Sequence, residues 1–329
     1  MSKISLDLIN PKLLLVGSRA IAALRPAVIA FLVSQGTRLS GGAETPISFC
    51  NVLFVGNFCA AIAVALWFNF PSIVAEIKTL EKKVLIALFI NGCLAALLSA
   101  LIFLGLNYTS VTNAVLLGRF GPVLFALAGA FFLGKKITKL ELFGFGLIFV
   151  GIGAITLKES MYQINRGDLL ILASAFVYMT TSLIGKLTLS GKSSLGVVVF
   201  TRNFISSVIF FIIANVLFGF DHFGDVFSGQ LWIVMSIYAL IIIVAGQLLW
   251  YAALGKLDSR TVGSLASLSP VFGVIYAYFL NGERPSTVQV SAFFVIMIGL
   301  AISNLGKAKP KQKELDLDKM PQPECSANA

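Results

Sequence analysis

Charged side chains are scarce in this sequence, and those that a hydrolase or a metalloenzyme depends on are scarcer still. Only 12% of the 329 residues are charged against 57% hydrophobic, and mean hydropathy is +0.92. Such a chain cannot furnish a soluble surface. The single histidine, His222, leaves no imidazole metal cluster and no general base. Cys50, Cys59, Cys93 and Cys325 follow neither zinc-ligand nor disulfide-framework spacing. Asp and Glu are missing from the interior of every long apolar run, so the carboxylate relay that couples many pumps to protons or Na⁺ is missing too. The expectation is no cofactor, no metal and no membrane-integral enzyme. Gly129 through Gly134-Lys135 imitates a phosphate-binding loop, yet Lys136 stands where Ser or Thr is required and the surroundings are an apolar helix. The sequon Asn107-Tyr108-Thr109 lies too close to an apolar run to carry weight.

What is present is a series of apolar runs, each about 20 residues, the length that crosses ~30 Å of hydrocarbon. Ten can be marked: 14–35, 46–70, 84–106, 110–133, 140–157, 168–187, 195–219, 230–253, 261–281 and 286–305. No small-residue cleavage site follows the first, which is expected to stay in the mature chain. The sequence also repeats itself. With a constant offset of 148 residues and no gap, Leu106 falls on Leu254, Pro122-Val123 on Pro270-Val271, Phe131 on Phe279, Gly134 on Gly282, Thr138 on Ser286 and Gly151 on Gly299. Each copy holds five spans, an odd number, so the second must cross the bilayer in the opposite sense. The expected fold is an all-α membrane protein of ten transmembrane helices in two inverted five-helix repeats. Residues 1–157 form one repeat, 158–305 the other, and 306–329 a disordered cytoplasmic tail.

Orientation follows from Lys and Arg outside the spans. With the N-terminus inside, the cytoplasmic segments carry Lys3, Lys12, Lys78, Lys82, Lys83, Lys135, Lys136, Lys139, Lys192, Lys256, Arg260 and the tail lysines, against Arg38, Lys158, Arg166 and Arg284 outside. Both termini are therefore expected in the cytoplasm, in a plasma (inner) membrane. The net charge of +10 reflects this bias and contact with anionic lipid, not nucleic-acid binding.

The run Ser264 to Val271 followed by Phe279-Leu280-Asn281-Gly282-Glu283-Arg284-Pro285-Ser286, echoed in the first copy, is similar to the drug/metabolite transporter superfamily of the EamA type. The resemblance covers about residues 20 to 305. It implies a carrier for small molecules without fixing which, since that superfamily includes amino-acid and metabolite exporters as well as sugar-phosphate and nucleotide-sugar carriers. The first copy departs from the pattern: Lys135 stands where Glu283 stands in the second, a swap that follows the positive-inside bias.

A charge in mid-span costs about 2.5–3.5 kcal/mol on insertion scales and needs a reason. Arg25, Arg119 and Arg202 lie inside spans one, four and seven. Arg119 is three residues before Pro122, whose missing N–H frees a carbonyl at mid-depth, and its counterpart Ser267 precedes Pro270; both prolines are candidate helix kinks. Arg202 lies near the cytoplasmic end, where its stem can snorkel. Asn113, Ser264, Ser267, Tyr178, Gln247 and Trp250 complete the candidate substrate-binding set. Gly144, Gly146, Gly151 and Gly153 recur at intervals of seven, which suits close packing with span ten or with a second subunit in a homodimer. The function expected is a secondary transporter exporting or exchanging a small metabolite, an amino acid or organic anion because only cations are inside. A sugar-phosphate or nucleotide-sugar carrier and a non-transporting scaffold or sensor are the alternatives.

Overall fold

In lipid a long apolar run can satisfy its backbone only as a helix. The computed structural model is helical, with no strand, over the residues it describes: 9–35, 49–133, 137–159, 165–189, 193–219, 229–246 and 268–306, with 249, 253, 257 and 265. The helices are α1 (Pro11–Ser34), α2 (Phe49–Trp67), α3 (Phe70–Thr79), α4 (Lys82–Leu106), α5 (Val111–Leu117), α6 (Phe120–Leu133), α7 (Lys139–Ala154), α8 (Arg166–Leu189), α9 (Leu195–Phe218), α10 (Gly229–Tyr238), α11 (Ser269–Asn281) and α12 (Thr287–Gly306). π-Helical turns extend α7 over Ile155–Glu159 and α10 over Ala239–Ala245. Seven stretches are long and apolar enough to cross a bilayer, and α2 with α3 makes an eighth if that bent pair is one span. Spans two, eight and nine of the sequence reading run partly outside the described residues, and the tail beyond Gly306 lies wholly outside them.

One helix lay hidden in an expected loop. α3 leaves α2 at 93°, across Asn69 with its φ of 63° and Pro71 in the first turn. It buries Ile73 against Val84, Leu88, Val197 and Val198, and the Glu76 carboxylate accepts the Ser194 N–H at 2.6 Å just ahead of α9.

α7 and α12 form the most extensive helix pair. A Cβ on Gly144 would lie 2.5 Å from the Gly299 carbonyl oxygen, and one on Gly151 would lie 3.2 Å from the Ala292 oxygen. Early residues of α7 thus meet late residues of α12, and the helices run antiparallel. Gly146 and Gly153 meet nothing within 4 Å, so only half of the glycine pattern serves this contact.

The bundle has two distinguishable ends. At one, Thr138 Oγ1 before α7 donates to the Gly306 oxygen at 2.8 Å. At the other, the starts of α5, α8 and α12 converge with the α11–α12 loop that carries Glu283. Two apolar clusters are larger than the others. One centres on α1, α2, α4, α9 and α10, with Phe210, Val55, Leu231 and Met235; the other centres on α5 to α8 and α12, with Leu116, Leu117, Ile148 and Ile296. Outward-facing Phe131, Leu66, Phe279 and Val216 are 83%, 79%, 76% and 76% exposed, a surface that water would not tolerate and lipid solvates.

Candidate substrate site

Arg25 precedes Pro26 in the middle of α1. Because proline has no N–H, the carbonyl four residues back loses its helical partner and the helix becomes locally polar there. The guanidinium reaches α4, where Nη2 donates to Ser99 Oγ across a long 3.4 Å. Arg25 also lines a small hollow walled by α1, α2, α10 and the π-helical turn. Most of the wall is apolar: Ile29, Leu32, Val52, Leu53, Met235 and Ile243. Arg25, Asn57 and Tyr238 supply its polar atoms. The Asn57 amide nitrogen donates to the Leu53 oxygen at 2.7 Å. The Tyr238 hydroxyl makes no hydrogen bond among the described residues, and Tyr238 leads into the π-helical turn, a distortion that recurs at functional sites. A guanidinium, an amide and a phenol beside an apolar wall can hydrogen-bond an anionic group there.

A second polar constellation lies at the Glu283 end. Glu283 Oε1 accepts the Val111 N–H at 2.6 Å, while Oε2 accepts both the N–H and the hydroxyl of Thr112 at 2.8 Å. Ser110 caps the next donor, accepting from Asn113 N at 3.1 Å. Gln289, at the start of α12, donates to Asn113 Oδ1 at 2.7 Å and to Ser110 Oγ at 3.2 Å. Asn113 and Thr109 in turn donate to Asp168 Oδ1, at 3.4 and 2.5 Å, and Asp168 is fully buried in the first turn of α8.

Residues 70–157 and 165–305 match the model of the EamA-like transporter family. The chain belongs to that family. It is 31% identical over 302 residues to an uncharacterized transporter of Synechocystis sp., covering 87% of this chain and 85% of that one. It is 24% identical to the riboflavin transporter ImpX of Fusobacterium nucleatum, over 84% of this chain and 96% of that one. A probable amino-acid metabolite efflux pump of Salmonella typhimurium is 25% identical over 54% of this chain and 62% of its own. A crystal structure with 18% identity shares the fold at a TM-score of 0.55, covering 88% of this chain and 96% of that one. The protein is an integral, multi-pass membrane transporter that binds a small molecule and sits in lipid.

In this EamA-like chain the described candidates named from sequence lie in several places. Arg25 lines the cavity, whereas Asn113 belongs to the network at the Glu283 end. Arg119 occupies the break between α5 and α6, partly buried, with Nε donating to the Val115 oxygen at 3.2 Å. Tyr178 packs on Gly121 beside it, close enough for the ring to be 2.8 Å from a Cβ placed there. The break falls where Pro122 withholds its N–H from Gly118, and α11 likewise begins one residue before Pro270. Arg202 is partly buried near the start of α9. Ser264, Ser267, Gln247 and Trp250 lie outside the described residues.

Sequence reasoning passed over five residues. Asn57 and Tyr238 carry no charge and look like packing. Glu283 and Asp168 sit at span ends, where a carboxylate is unremarkable. Gln289 was the most legible, standing three residues after Ser286 in the spacing of a capping box.

Proposed function

We propose that this transporter carries a small amphiphilic metabolite with a carboxylate or other anionic group, an amino or organic acid, by alternating access between two inverted five-helix repeats of a ten-span bundle. The observation that carries the substrate class is the Arg25 cavity: a cation with Asn57 and Tyr238 beside an apolar wall whose residues come from both halves of the chain. The name of the amino-acid efflux relative agrees with that chemistry.

Two features support the inverted copies. The capping box of Thr138 and Glu141 at α7 recurs, 148 residues on, as Ser286 and Gln289 at α12. The same offset exchanges the two close contacts of α7 with α12, since Gly144 opposite Gly299 becomes Ala292 opposite Gly151. A two-fold relation between the copies gives each packing arrangement a near-equivalent partner, as rocking carriers require. Lys78, Lys82, Lys83 and Lys139 gather at the Thr138 end, which supports a cytoplasmic assignment for it in a plasma membrane.

The test is flux in proteoliposomes with a panel of amino acids, organic acids and riboflavin, comparing Arg25→Ala and Arg25→Lys. Arg25→Ala is expected to lose at least about tenfold in uptake of an anionic substrate, the loss of one charge-assisted hydrogen bond of ~1.4 kcal/mol or more. Arg25→Lys retains the charge but not the planar fork and is expected to fall between. Unchanged uptake in a well-folded Arg25→Ala protein removes the cavity from the transport path.

A further inference from the structure

In the reading just proposed, on which this one rests, the two faces of the bundle open alternately. We infer that Glu283 and Gln289 form a one-sided latch, which holds the Glu283 face shut and whose residue types are not repeated at the equivalent sequence positions of the other copy. Glu283 is a positioning residue: it acts through α5, the helix that leads directly to Arg119.

The first element is the contact itself. The starting N–H groups of any helix lack intrahelical partners. Those of α5 are supplied from the other copy, with one carboxylate taking the Val111 and Thr112 N–H groups and the Thr112 hydroxyl. Charge-assisted bonds of this kind are about twice as strong as neutral ones. Gln289 adds a second tie because its amide divides its work. Its oxygen accepts the Ser286 N–H of its own helix, which frees the NH₂ to donate to Asn113 and Ser110.

The second element is an asymmetry of sequence inside a symmetry of backbone. Subtracting the offset of 148 residues turns Glu283 into Lys135 and Gln289 into Glu141. An ammonium cannot accept an N–H, and the positive end of a helix repels it. Glu141 makes the same bonds to its own helix start, with Oε2 taking the Thr138 N–H at 2.9 Å, but a carboxylate has no NH₂ to extend to the other copy. The sequence thus supplies both halves of the latch on one face and neither at the equivalent positions of the other. Topology alone explains a lysine at position 135; it does not explain why an amide replaces a carboxylate at the second position. The consequence is a preferred resting state, closed at the Glu283 face, that transport must release.

The experiment uses Leu53→Cys, on the cavity wall, as the only cysteine of the full chain in sealed vesicles of known orientation. A membrane-impermeant maleimide is applied from either side, and the ratio of the two labelling rates reports which face is open. Glu283→Gln is expected to shift that ratio toward the Glu283 side about tenfold, the factor that ~1.4 kcal/mol makes in an equilibrium. Thr112→Val, which deletes one bond and leaves the backbone cap, is expected to shift it less in the same direction. It decides the matter if Glu283→Gln does not fold. A purely structural cap predicts a lower melting temperature with the ratio unchanged, and that result overturns the latch. If the reporter reacts from one side only, with and without the substrate panel, alternating access itself fails and the latch with it. A reporter that reacts from both sides with ratios indifferent to either variant refutes the latch alone.

Discussion

Arg119 is held at a break in its span by local chemistry: Pro122 cannot donate to Gly118, so the helix stops, and the guanidinium turns back to the Val115 oxygen. That single backbone bond uses one of five donors. If the substrate anion passes this point, Arg119→Ala inserts and melts normally, because removing a charge from hydrocarbon lowers the insertion cost, but it loses most of its flux. Arg119→Lys then retains weak transport with a raised apparent KM. If the side chain only satisfies the broken backbone, the order reverses, and Arg119→Ala melts early while the surviving protein transports normally. Detergent melting and proteoliposome flux on the same two variants separate the cases. Arg25 and Arg119 were both legible in the sequence because a charge inside an apolar run is costly. Glu283 was not, since two of its three bonds come from backbone N–H groups more than 170 positions away, and every residue type but proline offers the same N–H.

Helix pairing was legible where small residues recur and illegible where a turn decides. The glycines at intervals of seven announced a close helix contact, but the sequence could not say which half of the pattern is used. The structure assigns Gly144 and Gly151 to α12 and leaves Gly146 and Gly153 facing nothing within 4 Å. Gly144→Ala puts a methyl group 2.5 Å from one backbone oxygen and 2.6 Å from the Ser303 nitrogen, neither of which can rotate away. It is expected to cost at least the ~1–3 kcal/mol typical of overpacking, seen as a clear drop in detergent melting temperature. Gly146→Ala should leave melting unchanged or raise it slightly, since alanine favours the helix by up to about 1 kcal/mol. Equal melting for the two variants would sink this packing assignment. α3 went unread for the converse reason: ten residues cannot span a bilayer, and Lys78, Lys82 and Lys83 around it read as a basic loop.

At the scale of the whole molecule the question is which end of the bundle faces out, and geometry narrows it to one binary choice. Hydrogen bonds place the start of α7 with the end of α12, and the start of α12 with the start of α5. α4 runs from Lys82 to Leu106, just before that same start of α5, so Lys82 belongs with Lys139 at the Thr138 end, and Tyr108 belongs with Arg284 at the Glu283 end. All four positions are exposed, so each can report its side as a single cysteine. In the orientation proposed above, the lysine excess puts the Thr138 end on the cytoplasmic side. An impermeant thiol reagent on intact cells is thus expected to label Tyr108→Cys and Arg284→Cys but not Lys82→Cys or Lys139→Cys, and lysis should expose the second pair. The opposite pattern would keep the inverted repeat and reverse the orientation, placing the latched face in the cytoplasm. Labelling of Lys82→Cys together with Arg284→Cys in intact cells, with Tyr108→Cys silent, would break the inverted arrangement, because positions from one end of the bundle would then lie on both sides of the membrane.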